Sequence, residues 1–116
     1  RPAWLYHYSY VDEDQRGRVP GAAHGAEVSH LFKRPLRAGS RLGEGDLAVT
    51  APLRGYWLNF ARTGNPNGPG LDPWPPFTRE RPVVMEFGNT LTVHPALFPE
   101  RMRFHQQWID AHWVSP

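Results

Sequence analysis

The sequence predicts an α/β fold, and three stretches carry that expectation. Ala3 to Val11, Ala-Trp-Leu-Tyr-His-Tyr-Ser-Tyr-Val, puts Trp4, Tyr6, Tyr8 and Tyr10 on one face and Ala3, Leu5, His7 and Ser9 on the other. Both faces are mostly fit for burial, which is the signature of a strand inside a helix-covered, largely parallel sheet. Leu53, Tyr56, Trp57 and Phe60 recur at helical spacing and predict an amphipathic helix. Val83 to Phe87 and Thr90 to His94 are short β-prone runs around Gly88-Asn89, a hairpin signal.

Taken in order, the first strand gives way at Asp12 to the polar run Asp-Glu-Asp-Gln-Arg-Gly-Arg, expected as a solvated loop. Val19 to Phe32 follows, with Pro20, Gly21 and Gly25 as punctuation and a short helical turn expected over Glu27 to Phe32. His24 stands between small residues on the loop ahead of that helical turn. Loops on a rigid scaffold are where catalytic side chains concentrate, so His24 is the candidate for chemistry.

Lys33 to Gly45 shows no strong element. Thr50 suits an N-cap, Pro52 a first turn and Gly64 the position after a C-cap, predicting a helix over Ala51 to Thr63. An earlier start near Asp46 with a kink at Pro52 is the alternative. Gly64 to Phe77 is too rich in Pro and Gly for regular structure, with Trp74 and Phe77 expected to tuck onto the body. A final helix is expected from Pro99 to about Trp113, with Glu100 at its positive end. It is expected to bury Phe104, Trp108 and Ala111, flanked by Met102 and Ile109.

The 116 residues suit one domain at most. No apolar run of about 18 residues could span a membrane. The chain opens at Arg1 without a signal segment and enters its aromatic strand almost at once, as expected of a start inside a fold. Thirteen bases against eleven acids leave a charge of +2, and the arginines are scattered, so nucleic-acid binding is not indicated. There is no cysteine, which excludes disulfides, thiolate zinc sites and a Cys nucleophile within the chain.

Six histidines invite a metal reading. His24, Glu27 and His30 form H-x-x-E-x-x-H, but three-residue steps on a helix make the outer pair diverge by about 120°. His105 and His112 share a face, yet their backbones lie roughly 10 Å apart, too far for direct co-ligation. No metal site and no cofactor is expected. The serines are Ser9, Ser29, Ser40 and Ser115, and none lies in a G-x-S-x-G elbow. The chain offers a base without a nucleophile.

Four ordered markers resolve that mismatch: Trp-Leu-Tyr-His-Tyr at 4–8, Gly-Ala-Ala-His-Gly-Ala-Glu at 21–27, Tyr-Trp-Leu-Asn-Phe-Ala-Arg-Thr-Gly-Asn-Pro-Asn at 56–67, and Trp-Pro-Pro-Phe at 74–77. By these the chain resembles the C-terminal portion of type B carboxylesterases, the esterase and lipase family that includes the cholinesterases. Bacterial members fit best. Arg18, Val19 and Pro20 stand where cholinesterases place aromatics, which argues against a choline-type gorge. The resemblance implies that residues 1–116 form the C-terminal segment of a single α/β-hydrolase domain: a buried sheet strand, a His loop, a helix, a terminal β-hairpin and a C-terminal helix.

The resemblance makes His24 the triad histidine, and Glu27 a polar support of the local network and not the triad acid. The triad order Ser, acid, His leaves only the His in a C-terminal piece. The nucleophile, acid and oxyanion-hole amides then belong to an N-terminal remainder, and the segment alone is expected to be inactive. The implied partner is a small-molecule carboxylic ester. A non-catalytic binding or adhesion member of the same fold, or an inactive truncated fragment, is the alternative.

Overall fold

A computed structural model of the chain describes residues 1–34 and 41–113. Ser40, Ser115 and the middle of the expected connection at 33–45 lie outside the described residues. The elements are β1 (Leu5–Tyr8), a 3-10 turn (Glu13–Gln15), α1 (Ala26–Leu31), α2 (Glu44–Thr63), β2 (Val84–Phe87), β3 (Leu91–His94) and α3 (Pro99–His112).

The three strands form one sheet in the order β1-β2-β3. β1 and β2 are parallel with Leu5 opposite Val84 and Tyr8 opposite Phe87, while β2 and β3 are antiparallel with Phe87 opposite Leu91. A parallel pair needs a long crossover, and here α1 and α2 lie within it. Alternation puts Tyr6, Tyr8, Met85 and Phe87 on one face of the sheet and Leu5, His7, Val84 and Glu86 on the other. The first face meets α2. The core there is Leu53, Tyr56, Trp74, Met85 and Phe87, with Trp4, Tyr8, Leu31 and Trp57 packed around it. Edge-to-face aromatic contacts dominate: Phe87 lies 5.7 Å from Tyr56, 5.7 Å from Trp57 and 5.6 Å from Trp74, centroid to centroid. This geometry matches the ring quadrupoles.

Several expectations need correction. The long helix begins at Glu44, close to the alternative start near Asp46, so Thr50 is not an N-cap but an interior residue whose Oγ1 donates to the Asp46 carbonyl at 2.7 Å. Helix interiors tolerate Thr in this back-bonded form. Pro52 sits inside α2, where its missing N–H leaves the carbonyl of Ala48 without its helical donor. Ala48 is exposed, so water can serve that group. The buried side chains on both sides of the break, Val49, Thr50, Leu53 and Tyr56, hold the helix through it. Gly64 ends it as expected, in the left-handed region at φ 75°.

The hairpin loop between β2 and β3 holds three residues, Gly88 to Thr90, not two. Neither Gly88 nor Asn89 has positive φ, so the primed turn that Gly-Asn suggests does not form. The expected core of the last helix is also corrected: no residue of α3 is buried. Phe104 is 64% exposed and Trp108 54%, because the described residues bring no element onto that helix. Of the α2 stripe, Leu53 and Tyr56 are fully buried but Phe60 is exposed, touching Trp4 edge-on at the rim. Among the described residues no helix is long and apolar enough to cross a membrane.

Candidate active site

The polar run after β1 is not a purely solvated loop. Asp12 and the backbone of Glu13 turn inward, toward a buried network between β1, α1 and α2. Asp46 at its centre is 2% exposed and accepts three hydrogen bonds: Tyr10 Oη at 2.8 Å, the Glu13 N–H at 3.0 Å and the Gly43 N–H at 2.7 Å. The last of these makes Asp46 an N3 carboxylate reaching back to the N-cap of α2, half of a capping box, since Gly43 has no side chain to return the bond. Burial alone would raise the Asp46 pKa. The Glu13 and Gly43 amides, the Tyr10 hydroxyl and the nearby His30 outweigh it and hold the carboxyl below its ordinary range. Burial and the bond to Asp46 push the Tyr10 hydroxyl upward.

His30 is fully buried beside this group. Its Nε2 lies 2.9 Å from Asp12 Oδ1 and its Nδ1 2.7 Å from Thr50 Oγ1. A carboxylate only accepts, so Nε2 donates to Asp12. The Thr50 hydroxyl has one proton. Directed at the Asp46 carbonyl, it accepts from Nδ1–H and the ring is an imidazolium. Directed at Nδ1, it leaves the ring neutral. Either way both ring nitrogens are engaged, and His30 is not free to join His24 and Glu27 around an ion. The rings of Tyr8 and Tyr10 pack on it at 5.9 and 5.7 Å.

His24 lies on the turn just before Gly25, the N-cap of α1, which takes φ 76°. That left-handed conformation is one glycine adopts without penalty. His24 is exposed, and among the described residues its ring makes no hydrogen bond or ion pair. The loop leading to it borders an open, solvent-facing cleft of about 540 Å³ lined by Tyr10, Asp12, Val19, Pro20, Ala22 and Ala26. Glu27, in the first turn of α1, is half-buried and turns to Tyr6, whose Oη donates to Oε1 at 3.2 Å. Burial and the Glu27 carboxylate raise the Tyr6 hydroxyl. The structure thus brings His24 and Glu27 onto one short segment but does not bond them to each other.

Sequence reasoning missed Asp12, Asp46 and Thr50 as members of this network. An acid three residues after Gly43 was a legible helix-start signal for Asp46. The Asp12–His30 pair, 18 residues apart, has no local signal.

The mixed sheet and the helices around it match known proteins. A family model described as the carboxylesterase family matches residues 1–105. The chain is 32% identical over 105 residues to carboxylesterase 4A of Bos taurus, covering 89% of this chain and 19% of that protein. It is 31% identical over 109 residues to a medium-chain fatty acyl-CoA hydrolase precursor of Anas platyrhynchos, covering 91% of this chain and 19% of that one. Among solved structures, a Geobacillus stearothermophilus carboxylesterase superposes with TM-score 0.70 at 27% identity, over 88% of this chain and 21% of its own. A PNB esterase superposes at TM-score 0.73 and 19% identity, which speaks for the shared α/β-hydrolase fold. The chain spans about one fifth of the length of these relatives. Matched along nearly its whole length by that family model, the chain belongs to the carboxylesterase family.

Proposed function

We propose that residues 1–116 are the histidine-bearing C-terminal segment of a serine carboxylesterase and that His24 is its proton-transfer residue. The observation that carries this reading is the state of His24: an exposed imidazole with no partner among the described residues, on the turn that leads into α1, whose Ala26, Ser29 and His30 are buried. A ring whose nitrogens are uncommitted can take a hydroxyl proton from one side and a carboxylate partner from the other. The rest of the polypeptide supplies both groups, and it also covers the open edge of β1 and the exposed apolar face of α3. Glu27, bonded to Tyr6, supports α1 and stands apart from proton transfer.

In the acylation half, His24 accepts the proton of the serine hydroxyl as its oxygen attacks the ester carbonyl carbon. The tetrahedral adduct then collapses with cleavage of the C–O bond, and the proton passes from His24 to the departing alkoxide, releasing the alcohol. In the deacylation half, His24 takes a proton from water. The hydroxide adds to the acyl-enzyme, and the proton returns to the serine oxygen as the carboxylic acid leaves.

The test is His24→Ala in the complete polypeptide, assayed on a nitrophenyl ester. The reading requires kcat to fall by about 10⁴-fold or more. Turnover close to that of the unaltered protein would remove His24 from the mechanism. A complete polypeptide that is inactive before any substitution would favour a binding member of the fold.

A further inference from the structure

An isolated helix of six residues does not hold itself, and α1 is six residues long with a glycine N-cap that offers no side-chain bond. Its conformation rests on the side it buries: Ala26, Ser29 and His30. Ser29 Oγ donates back to Ala26 of the same helix. The guanidinium of Arg54 reaches the Leu31 carbonyl at the far end of α1. His30 is therefore the buried side chain that ties α1 to the rest of the fold, through Nδ1 to Thr50 on α2 and Nε2 to Asp12 where the chain leaves the sheet. The segment between Asp12 and His30 is the loop that carries His24. The Asp12–His30 bond closes that loop at its base.

We propose that Asp12 and His30 are positioning residues for His24, a buried hydrogen-bonded couple that sets where the His24 turn projects. The proposal rests on the reading of His24 as the proton-transfer residue. A phenyl ring would fill much of the same volume without desolvating an imidazole and a carboxylate. Buried polar pairs carry that desolvation cost and give direction in return. Direction is what a proton-transfer ring needs, since about 1 Å of misplacement can cost about 10²-fold in rate. His30 faces Tyr8 and Tyr10 from β1 and the segment after it, Asp12 from the loop, and Thr50 and Asp46 from α2, so the couple links β1, α1 and α2 at the base of the His24 loop.

The test uses the complete polypeptide, a nitrophenyl ester and thermal unfolding. His30→Phe keeps the ring volume and removes both hydrogen bonds; kcat is expected to fall 10- to 100-fold with KM within about twofold. His30→Gln can donate to Asp12 and, with the Thr50 hydroxyl turned from the Asp46 carbonyl toward the Gln oxygen, accept from Thr50, and recovers most of that loss. The double variant Asp12→Ala with His30→Phe replaces both polar partners, so its midpoint rises above that of His30→Phe while kcat stays low. The proposal is overturned if folded His30→Phe keeps kcat within twofold of the unaltered protein, or if kcat recovers with the midpoint in the double variant. His24→Ala is run in parallel. Should it retain turnover, the proton-transfer reading itself fails; should it lose turnover while His30→Phe does not, only the positioning role fails.

Discussion

Replacing Asp46 with Asn perturbs the centre of the buried network with almost no change of volume. The carboxylate accepts Tyr10 Oη and the Glu13 N–H on one oxygen and the Gly43 N–H on the other. An amide has one acceptor oxygen. With it facing Tyr10 and Glu13, the NH₂ group confronts the Gly43 N–H, donor against donor. Loss of the charge-assisted bond to the part-buried Gly43 N–H costs about 1.5–3 kcal/mol. Loss of a negative charge in the first turn of α2 adds about 0.5 kcal/mol. A total near 3 kcal/mol, within this range, corresponds to local opening about 10²-fold more frequent. Hydrogen exchange of peptides covering residues 10–16 and 43–50 in the complete polypeptide reads this directly. Exchange within about threefold of the unaltered protein would refute the assignment of Asp46 as the network's organiser. The pH dependence has a definite sign. The folded pKa is depressed, so the stabilisation is present above the unfolded carboxylate value of about 3.9 and disappears as pH falls through the folded one. The Asp46→Asn variant has no such acid limb.

Other outcomes follow from the same geometry. Phe87 is fully buried among Tyr56, Trp57 and Trp74, so Phe87→Ala should destabilise by about 3–5 kcal/mol in denaturant unfolding, and a loss under about 1 kcal/mol would contradict this core. On the opposite face of the sheet, the Ser9 hydroxyl bond at 2.5 Å leads the effects that outweigh burial and hold the Glu86 carboxyl below its usual range, with His94 at 2.6 Å adding to it. Ser9→Ala should therefore shift acid unfolding to higher pH, because the Glu86 contribution, present above the unfolded value near 4.3, is lost earlier as pH falls; an unshifted acid midpoint would show that the bond is not formed. Expressed alone, the 116-residue chain should bind a hydrophobic dye and self-associate through α3 and the residue after it, where Phe104, Trp108 and Trp113 are exposed; a sharp, monomeric two-state transition would overturn that expectation.

How much of this was legible depended on the range of the interaction. The α2 stripe, the Gly64 cap and the hairpin strands are written in residue spacing, since helical and strand periodicity act over a few positions. The start of α2 was displaced because Thr50 and Pro52 each look like helix-start residues; the helix continues upstream on the strength of the Asp46–Gly43 bond and the burial of Val49 and Thr50. The expectation for α3 erred differently. An apolar stripe states that a helix has a face to bury, not what covers it, and the described residues leave that face exposed.

By itself the sequence determined the α/β class, the family resemblance, the order of the elements and His24 as the residue to test. These follow from local periodicity and from motifs read along the chain. Only the tertiary structure decided that Asp12 meets His30, that Asp46 gathers donors from Tyr10 and Glu13, and that Glu27 turns to Tyr6. Hydrogen bonds between residues 18 and 36 positions apart depend on how the β1–β2 crossover folds back on the sheet. Spacing along one chain does not encode that juxtaposition; packing of the aromatic core creates it.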